Sequence, residues 1–540
     1  MNMRRQSRLP GLRLVSVCWF SLLALLLNAI PSRAASAVER WGVFEIALTG
    51  PTNGNPFLDV EFSGRFTHGA NVVNVPGFYD GDGIYRVRFS PETQGEWRYE
   101  TKSNRRALNR QRGELTVTEP SLENHGPVHV TNTFHFAYAD GTPYKEFGTT
   151  CYRWVQQTET VQGETLQTLK ASPFNKVRFF VAAKRFLKNG TNDIEYPFES
   201  SDTKFDAALF NPKYFRHFER RILDLQQLGI EADLILFHPY DEDSVGFGHM
   251  TAVEDERYLR YVIARLAAYR NVWWSLANEY DFLRQKTEAD WERIGQTVAR
   301  NDAFHRLLSI HNGTKMFDQM RPWLTHASVQ NGSALSDPNS AGLYRDAWRK
   351  PVVYDEIKYE GDYPRRWGQL TGKEMVFRFW NSAVAGTHAG HGETFESSPG
   401  IRWWRNGGRL VGQSLPRLHF LKHVLDDAPA AGIEPIDKWQ NPEYGGRPFE
   451  YYLIYFGKET PTNWLFRLPK SPFDKSKQES VAGMKFTAEV FDTWNMTVTP
   501  VAGEFTLGKP AGYFVADRDG RTIELPGRPY QAIRIKRLNN

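Results

Sequence analysis

Between about Phe134 and Asp427 the chain repeats one pattern. A short run rich in Val, Ile, Leu and Phe precedes a longer stretch with the apolar spacing of an amphipathic helix. Eight such units in roughly 290 residues predict an α/β domain of the (β/α)8 TIM-barrel type, which typically needs about 250 residues before insertions. A doubly wound open sheet is the alternative, but no glycine-rich phosphate loop follows the first strand. The predicted strands are 145–152, 176–182, 232–237, 271–277, 305–310, 326–330, 351–356 and 381–388.

Short alternating strands, separated by Gly, Pro, Asn and Asp clusters, flank the predicted barrel (134–427) on both sides. Residues 38–120 have this pattern and predict an Ig-like β-sandwich, and residues 432–540 predict a second β-sandwich. Residues 121–133 are predicted to form a linker. The chain is therefore expected to fold as three domains.

The first 37 residues have the features of a cleaved secretory signal. Basic residues precede an apolar run from Leu14 to Ile30, and the small residues Ala35, Ser36 and Ala37 form a cleavage site. A retained membrane anchor is the alternative, although about 17 apolar residues is the lower limit for spanning a bilayer. We expect cleavage after Ala37, a secreted or periplasmic location, and no stable membrane insertion.

Removing this leader changes the charge balance. The leader contains five of the 67 basic residues and no acidic residue, which leaves 67 − 5 = 62 basic residues against 62 acidic ones. The basic character of the whole chain therefore gives no support for nucleic-acid binding. Cys151 is then the single cysteine, which excludes an intramolecular disulfide.

Two glutamates follow predicted barrel strands at the end where TIM barrels carry their active sites. Glu279 ends the fourth strand and Glu356 ends the seventh. Two carboxyl groups about 5 to 5.5 Å apart serve a retaining glycosidase, in which one attacks the sugar and the other protonates the leaving oxygen. A single strand-terminal Glu is more often a solvated loop residue, so the hypothesis depends on the pair.

Neighbouring polar residues support this pair. Arg178 is a candidate hydrogen-bond donor to the nucleophile, and Asn278 could hold the hydroxyl beside the anomeric carbon. Strand alternation predicts that Tyr354 and Glu356 share one face while Asp355 lies on the other, which favours Glu356 as the nucleophile.

Further polar and aromatic residues near the predicted strand ends are candidates for sugar contact. The aromatic candidates for stacking include Trp403. The others are Trp154, His238, Tyr240, Asp241, Gln330, Tyr354, His388, His391 and Glu393.

Three of these candidates, His388, His391 and Glu393, could also coordinate zinc. Their spacing matches no common zinc motif, and the loop has no Cys. We therefore expect no metal and no other cofactor.

The segments VRFF, LFHPYD, LANE and YDE resemble those of clan A glycoside hydrolases, which are (β/α)8 retaining enzymes. More narrowly, FGTTCYRW, LFHPYD and GHGETF resemble the apiosidase-like group (domain of unknown function 4038). The flanking parts resemble the families numbered 5060 and 5605. The resemblance implies that Glu279 is the acid/base and Glu356 the nucleophile, and that Arg178, His238 and Asn278 line the −1 subsite.

The sequence departs from the clan pattern at two strand ends. Many members have a Trp after strand eight and a His or Tyr after strand six, where this chain has GTHAGHGE and SVQNGS. The leading hypothesis is a secreted retaining glycoside hydrolase acting on plant or algal polysaccharides or oligosaccharides. The alternatives are a non-catalytic carbohydrate-binding protein on a degenerate barrel and a metal-dependent hydrolase that uses the eighth loop.

Overall fold

The computed structural model describes residues 36–182, 196–201, 204–240, 246–437, 440–470 and 481–538. Its centre is a ring of eight parallel strands, and a bridge between His311 and Ser328 joins the fifth strand to the sixth and closes the ring. The predicted TIM barrel with two flanking sandwiches is confirmed. In ring order, the first to eighth barrel strands are Gly148–Thr150, Lys176–Phe180, Glu231–Phe237, Val272–Ala277, Leu308–Ser309, Ala327–Gln330, Val352–Glu356 and His388–His391.

Helices on the outside of the ring connect these strands. They are amphipathic or fully buried because each lies between the barrel wall and either solvent or a flanking domain. The longer ones are Glu159–Lys170, Pro212–Gln227, Ala252–Leu266, Glu288–Asn301, Pro338–Trp348, Gly372–Val384 and Leu415–Asp426. The segment between the fifth and sixth strands, 310–326, has turns and no helix, so the pattern of eight strand and helix units fails at that connection.

The eighth strand lies later in the chain than the sequence predicted. Residues 381–384 belong to the helix Gly372–Val384, and the strand begins at His388. The helix ends where Gly386 adopts φ +64°, a left-handed conformation that glycine adopts without strain. From Met375 to Val384 every residue of this helix is buried, so the end of the helix has no solvent-exposed polar face that would reveal it in the sequence.

The N-terminal sandwich packs a five-stranded sheet on a three-stranded one. Phe66 from the first sheet stacks on Phe89 from the second with ring centroids 4.1 Å apart. The first sheet has the order Ser36–Glu39, Arg112–Thr118, Gly95–Ser103, Phe62–His68, Asn71–Pro76, and the second has the order Phe44–Thr49, Ile84–Phe89, Phe78–Tyr79.

The predicted linker contains a strand, Val128–Thr131, which pairs with His135–Tyr138, and that strand pairs with Pro143–Tyr144. Phe136 of this small sheet packs on Trp273 and His388, with ring centroids 5.2 and 5.1 Å away. Its apolar side chains therefore close the end of the barrel where the strands begin, opposite the end where they finish.

The C-terminal sandwich is built on a seven-stranded sheet. Its strand Tyr451–Tyr455 contacts the barrel through Tyr455, whose ring lies 5.2 Å from that of Trp380 on the helix Gly372–Val384. The sheet order is Glu434–Asp437, Asn441–Arg447, Tyr451–Tyr455, Gln531–Arg537, Lys485–Asp492, Thr497–Pro500, with Phe505–Thr506 also paired to Lys485–Asp492. The opposite face has two pairs of short strands, Asn463–Leu465 with Thr522–Glu524 and Arg467–Pro469 with Phe514–Ala516.

A buried ion network joins the N-terminal sandwich to the barrel helices. Arg265 contacts Glu219 at 2.7 Å and Asp80 at 2.8 Å, and Arg88 contacts Glu219 at 2.8 Å. Arg265 is fully buried, so each charge depends on its partners for compensation. In the part of the chain that the structure describes, no helix is both long and apolar enough to cross a membrane.

We predict that Glu219→Gln destabilises the protein by roughly 3 kcal/mol, because it leaves two buried guanidinium groups without their shared carboxylate. Glu256→Gln is the control, since Glu256 makes an exposed ion pair with Arg260 and should contribute less than about 1 kcal/mol. Thermal and urea unfolding of both variants measures the difference. Equal losses of stability in the two variants would show that the network does not hold the two domains together.

Candidate active site

Glu279 and Glu356 face a common cleft of about 870 Å³ at the end of the barrel where the strands finish. The sequence prediction that strands four and seven present both carboxylates to one cavity agrees with this arrangement. Loops after seven of the eight strands line the cleft, and the second strand contributes its last residue, Phe180. The lining residues are Tyr152, Arg153, Phe180, Tyr240, Glu279, Phe282, Gly313, Thr314, Gln330, Asn331, Gly332, Ser333, Glu356, Lys358, Tyr359, Arg366, Trp367, Trp404 and Arg405.

Glu279 has an unusual backbone conformation. Its φ and ψ are 46° and 55°, in the left-handed region, which is uncommon for a residue with a Cβ atom and is found where surrounding structure enforces it. Backbone hydrogen bonds of the residues on both sides of Glu279 enforce this conformation. Asn278 N donates to Phe237 O at 3.0 Å, and Tyr280 N donates to His311 O at 3.0 Å. The chain therefore turns sharply at Glu279 and directs its carboxyl group into the cleft.

A bulge in the seventh strand positions Glu356. Val353 pairs with Ser328 and Glu356 pairs with Gln330, so the seventh strand has one residue more than the sixth between these pairs. The extra residue breaks the alternation of side chains. Asp355 consequently points into the barrel, where it contacts Lys176 at 2.7 Å, and Glu356 faces the cleft.

The expectation that Tyr354 shares a face with Glu356 is therefore wrong. Tyr354 is fully buried on the outer side of the wall, where its hydroxyl donates to Ala341 O at 2.7 Å. It lies away from the cleft and cannot contact a sugar there.

Hydrogen-bond donors surround the Glu356 carboxylate. Tyr152 donates its hydroxyl proton to Oε1, and the Tyr359 hydroxyl, 3.2 Å from that of Tyr152, also binds the carboxylate. Arg178 Nη1 lies 3.9 Å from Oε1. Donors and a nearby cation stabilise the ionised form of a carboxyl group.

His311 is a further neighbour of Glu356, with Nε2 3.7 Å from Oε1. Burial, followed by the positive charge of Arg178, lowers the pKa of His311 to about 3. The imidazole is therefore neutral, and it links Ser328 Oγ at 2.9 Å to Gln330 Oε1 at 3.2 Å.

Glu279 also has two hydrogen-bond donors, but among the described residues no cation lies within ion-pair distance of its carboxyl group. Tyr240 donates its hydroxyl proton to Oε2, and Gln330 also hydrogen-bonds the carboxyl group. Asn278 Nδ2 donates to the Tyr240 hydroxyl at 2.7 Å, which fixes that hydroxyl so that its proton points at Glu279.

The two carboxyl groups titrate as a pair. Burial, followed by the charge of Glu279, raises the pKa of Glu356 to about 7, and burial raises the pKa of Glu279 as well. The proton that leaves near pH 7 therefore belongs to the pair. Because the tyrosine hydroxyls and Arg178 face Glu356, the single negative charge of the half-protonated pair is best stabilised there, with the proton on Glu279.

Arg178 ties the pair to the barrel interior. Its guanidinium donates to Asn278 Oδ1 at 2.5 Å and to Ser275 Oγ at 2.9 Å, and its Nε lies 3.6 Å from Asp233. Below it, Lys176 contacts Asp355 and Glu146 at 2.7 and 3.1 Å. These charges form a buried ionic column under the cleft.

The structure places Trp154 and His238 behind the cleft rather than in it. Trp154 is fully buried and packs on Phe179, with ring centroids 5.7 Å apart. The His238 ring donates from Nε2 to Ala182 O at 2.7 Å and accepts at Nδ1 from Tyr240 N at 3.3 Å. His238 therefore supports Tyr240 and does not line the cleft. Asp241 lies outside the described residues.

The eighth-strand candidates are also separated from the cleft. His388 begins the strand and packs on Phe136 at the closed end of the barrel, as follows from the shifted strand boundary. His391 is on the outer side of the wall, stacked on Phe174 with ring centroids 4.9 Å apart. Trp403 is fully buried, and its Nε1 donates to Thr149 at 2.8 Å.

Glu393 lies with Glu360 beneath the loop 411–414. The Glu393 carboxylate accepts from Val411 N and Gly412 N, at 2.7 and 2.9 Å, and Glu360 accepts from Gln413 N at 2.7 Å. Donor atoms of Glu360, His391 and Glu393 lie within 4.8 Å of one another and could hold a metal ion. His388 is not part of this group, and none of its three members lines the cleft.

Tyr152, Tyr359, His311 and Trp404 also belong to the site and were not among the residues predicted from the sequence. Tyr152 and Trp404 are immediate neighbours of residues in the considered segments, and Trp404 lines the cleft where Trp403 was expected to. His311 could have been predicted, because the polar segment HNGT directly follows the fifth predicted strand.

Glu356→Gln should change the pH dependence of stability. In the unfolded chain a Glu loses its proton near pH 4.5, whereas the folded pair of Glu279 and Glu356 keeps its last proton until about pH 7. The stabilisation that the wild type gains from this raised pKa is complete below pH 4.5 and is lost as the pH rises through 7. The Gln variant should therefore gain roughly 2 to 3 kcal/mol relative to the wild type between pH 5 and pH 8. Urea unfolding at several pH values measures this, and a constant difference would contradict the shifted pKa.

Comparisons with known proteins match all three parts of the chain to families. The family model "Apiosidase-like, catalytic domain" matches residues 131–412, and domains of unknown function DUF5060 and DUF5605 match residues 37–104 and 439–536. A comparison with curated proteins finds no match.

Two solved structures from Bacteroides vulgatus are similar to this chain. The crystal structure of a candidate glycoside hydrolase from Bacteroides vulgatus ATCC 8482 is 38% identical, with a TM-score of 0.88, over 93% of this chain and 100% of that one. A glycoside hydrolase family 5 protein from the same organism is 14% identical, with a TM-score of 0.56, over 76% of this chain and 93% of that one, and shares the fold. The chain is therefore a glycosidase that belongs to the apiosidase-like family, with its catalytic barrel between a DUF5060 and a DUF5605 domain.

Proposed function

We propose that the protein is a retaining glycoside hydrolase that cleaves O-glycosidic bonds in plant or algal polysaccharides or oligosaccharides by double displacement. The observation that carries this proposal is the unequal surroundings of two carboxyl groups in one cleft. Glu356 faces two tyrosine hydroxyls and Arg178, whereas Glu279 faces Tyr240 and Gln330. An ionised nucleophile beside a protonated acid is what retention requires.

In the first step the Glu356 carboxylate attacks the anomeric carbon while the bond from that carbon to the leaving oxygen breaks. Glu279 gives its proton to the leaving oxygen, so the leaving group departs as a neutral alcohol. Tyr152 and Tyr359 hold the nucleophile in place, and Tyr240 holds the acid. In the second step Glu279 takes a proton from water, which attacks the anomeric carbon and releases Glu356.

The alternative of a non-catalytic binding protein on a degenerate barrel is not favoured. Degeneration would be expected to remove one carboxylate or its hydrogen-bond partners, and both carboxylates have partners here. The metal-dependent alternative is not favoured either, because Glu360, His391 and Glu393 do not line the cleft.

Export of the protein is also part of the proposal. It is supported by the leader sequence, most of which precedes the described residues. Mass spectrometry of the protein from the periplasm and the medium would show a new N-terminus if the leader is removed. A full-length protein retained in the cytoplasm would contradict export.

Glu356→Gln and Glu279→Gln should each lower kcat/KM at least about 10³-fold on a natural glycan, because each removes one group that forms or breaks a bond. Circular dichroism confirms that the variants fold. Glu288→Gln is the control, because Glu288 is exposed and pairs with Lys315. NMR of the first-released sugar should show the anomeric configuration of the substrate. Inverted product would overturn the double displacement, and undiminished activity of either variant would overturn the assignment.

The rate should have a bell-shaped dependence on pH, with the alkaline limb near pH 7, where the carboxyl pair loses its last proton. The hydrogen bond from Tyr359 lowers the pKa of Glu356, so Tyr359→Phe should move this limb to higher pH. Profiles of kcat/KM measure the shift. A limb that stays in place or moves to lower pH in the variant would exclude this role for Tyr359.

A further inference from the structure

Four cationic side chains line the cleft beside the carboxyl pair. They are Arg153, Lys358, Arg366 and Arg405, and among the described lining residues the only carboxylates are Glu279 and Glu356. The mature chain as a whole is close to neutral, so this is a local concentration of positive charge. Such a cleft attracts anions.

The four cations come from one side of the cleft. Arg153 follows the first barrel strand, Lys358 and Arg366 follow the seventh, and Arg405 follows the eighth, which are neighbours in the ring. Arg153 N donates to Arg405 O at 2.9 Å, so those two residues are adjacent. Burial, followed by the charges of Arg378 and Arg366, lowers the pKa of Lys358, which places another cation near it. We name these four residues the basic arc.

Ion pairs among the described residues do not account for Lys358, Arg366 and Arg405. Within the described ranges, no carboxylate lies within ion-pair distance of Lys358, Arg366 or Arg405, and the Arg405 guanidinium donates to Asn406 Oδ1 and Gly400 O. Nearby cations outside the cleft are paired, since Arg402 contacts Asp362 and Glu396 at 2.9 and 3.1 Å. Like charges placed together destabilise a fold, so the retention of Lys358, Arg366 and Arg405 in a cleft where no described carboxylate pairs with them indicates an external partner.

Aromatic rings lie between these cations. Trp367 is 36% exposed and meets Trp404 edge to face, with ring centroids 5.3 Å apart. Both rings line the cleft. An aromatic face binds the apolar face of a sugar ring, and guanidinium groups bind planar carboxylates or sulfate oxygens through paired hydrogen bonds.

We infer that the basic arc and these tryptophans form a subsite for an acidic sugar residue, bearing a carboxylate or a sulfate ester, in the glycan that occupies the cleft. This inference rests on the proposed function for the cleavage, but binding of the acidic residue does not need the cleavage. The charged group adds long-range attraction and orientation, whereas the tryptophans supply contact that does not depend on charge.

Affinity electrophoresis of the full-length mature protein tests the inference. The gels contain polygalacturonate, alginate or a sulfated galactan, each compared with its methyl-esterified, carboxyl-reduced or desulfated form. We expect retardation by at least one acidic glycan, weaker binding to its neutral form, and loss of the difference at high salt. The uronate and sulfate gels show which of the two anionic groups is bound.

Lys358→Gln and Arg366→Gln should each weaken binding of the acidic glycan about tenfold, as expected for a lost charge-assisted hydrogen bond. They should leave the weaker binding of the neutral form unchanged. Arg365→Gln is the matched control, because Arg365 is exposed, adjacent in sequence and not part of the cleft lining. Equal binding of acidic and neutral forms, or equal effects of Arg365→Gln and Arg366→Gln, would overturn the subsite.

The same samples separate this inference from the proposed function. Acidic glycans that bind through the basic arc but release no reducing sugar would overturn the hydrolase and leave the subsite standing. Hydrolysis confined to neutral glycans, with Lys358→Gln and Arg366→Gln at the wild-type rate, would support the hydrolase and overturn the subsite.

Discussion

The burial of Arg178 constrains the whole catalytic end of the barrel. A guanidinium that is 1% exposed must be surrounded by acceptors, because an uncompensated charge in the interior costs several kcal/mol. Ser275 and Asn278 from the fourth strand and Asp233 from the third supply them. Arg178 thereby fixes the residue that precedes Glu279 and also places a positive charge near Glu356. Satisfying this one side chain therefore contributes to the positions of both carboxyl groups.

The ionic column beneath Arg178 has more acidic than basic groups. Lys176 and Arg178 face Glu146, Asp233 and Asp355. Burial raises the pKa of Glu146 to about 7 and also raises that of Asp233, whereas the charges of Lys176 and Arg178 overcome burial and lower the pKa of Asp355. The column can therefore hold a proton without placing a second negative charge directly beneath Glu356.

The sequence predicted the architecture and the two cleft glutamates because both follow from strong patterns. Apolar runs mark strands, and parallel strands finish at the same end of a barrel. The errors arose where local geometry departs from regular structure. The last four residues of the helix Gly372–Val384 are buried and were predicted as the start of the eighth strand, which moved His388 to the wrong end of the barrel. Because of the bulge before Glu356, Tyr354 faces outward and Asp355 faces the barrel interior, which is the reverse of the prediction. Contacts such as that of Tyr152 with Glu356 join residues 204 positions apart, and no local pattern encodes them.

The left-handed backbone at position 279 favours glycine, whereas the cleft has the carboxyl group of Glu279 there. Glycine would adopt these angles without the strain that a Cβ atom brings, which is typically about 1 kcal/mol or more. A carboxyl group at this point is therefore retained against the conformational preference of the chain. Selection for thermal tolerance alone would favour its loss, so in a descendant released from the need to cleave glycans a glycine at this position would be expected to raise the free energy of unfolding.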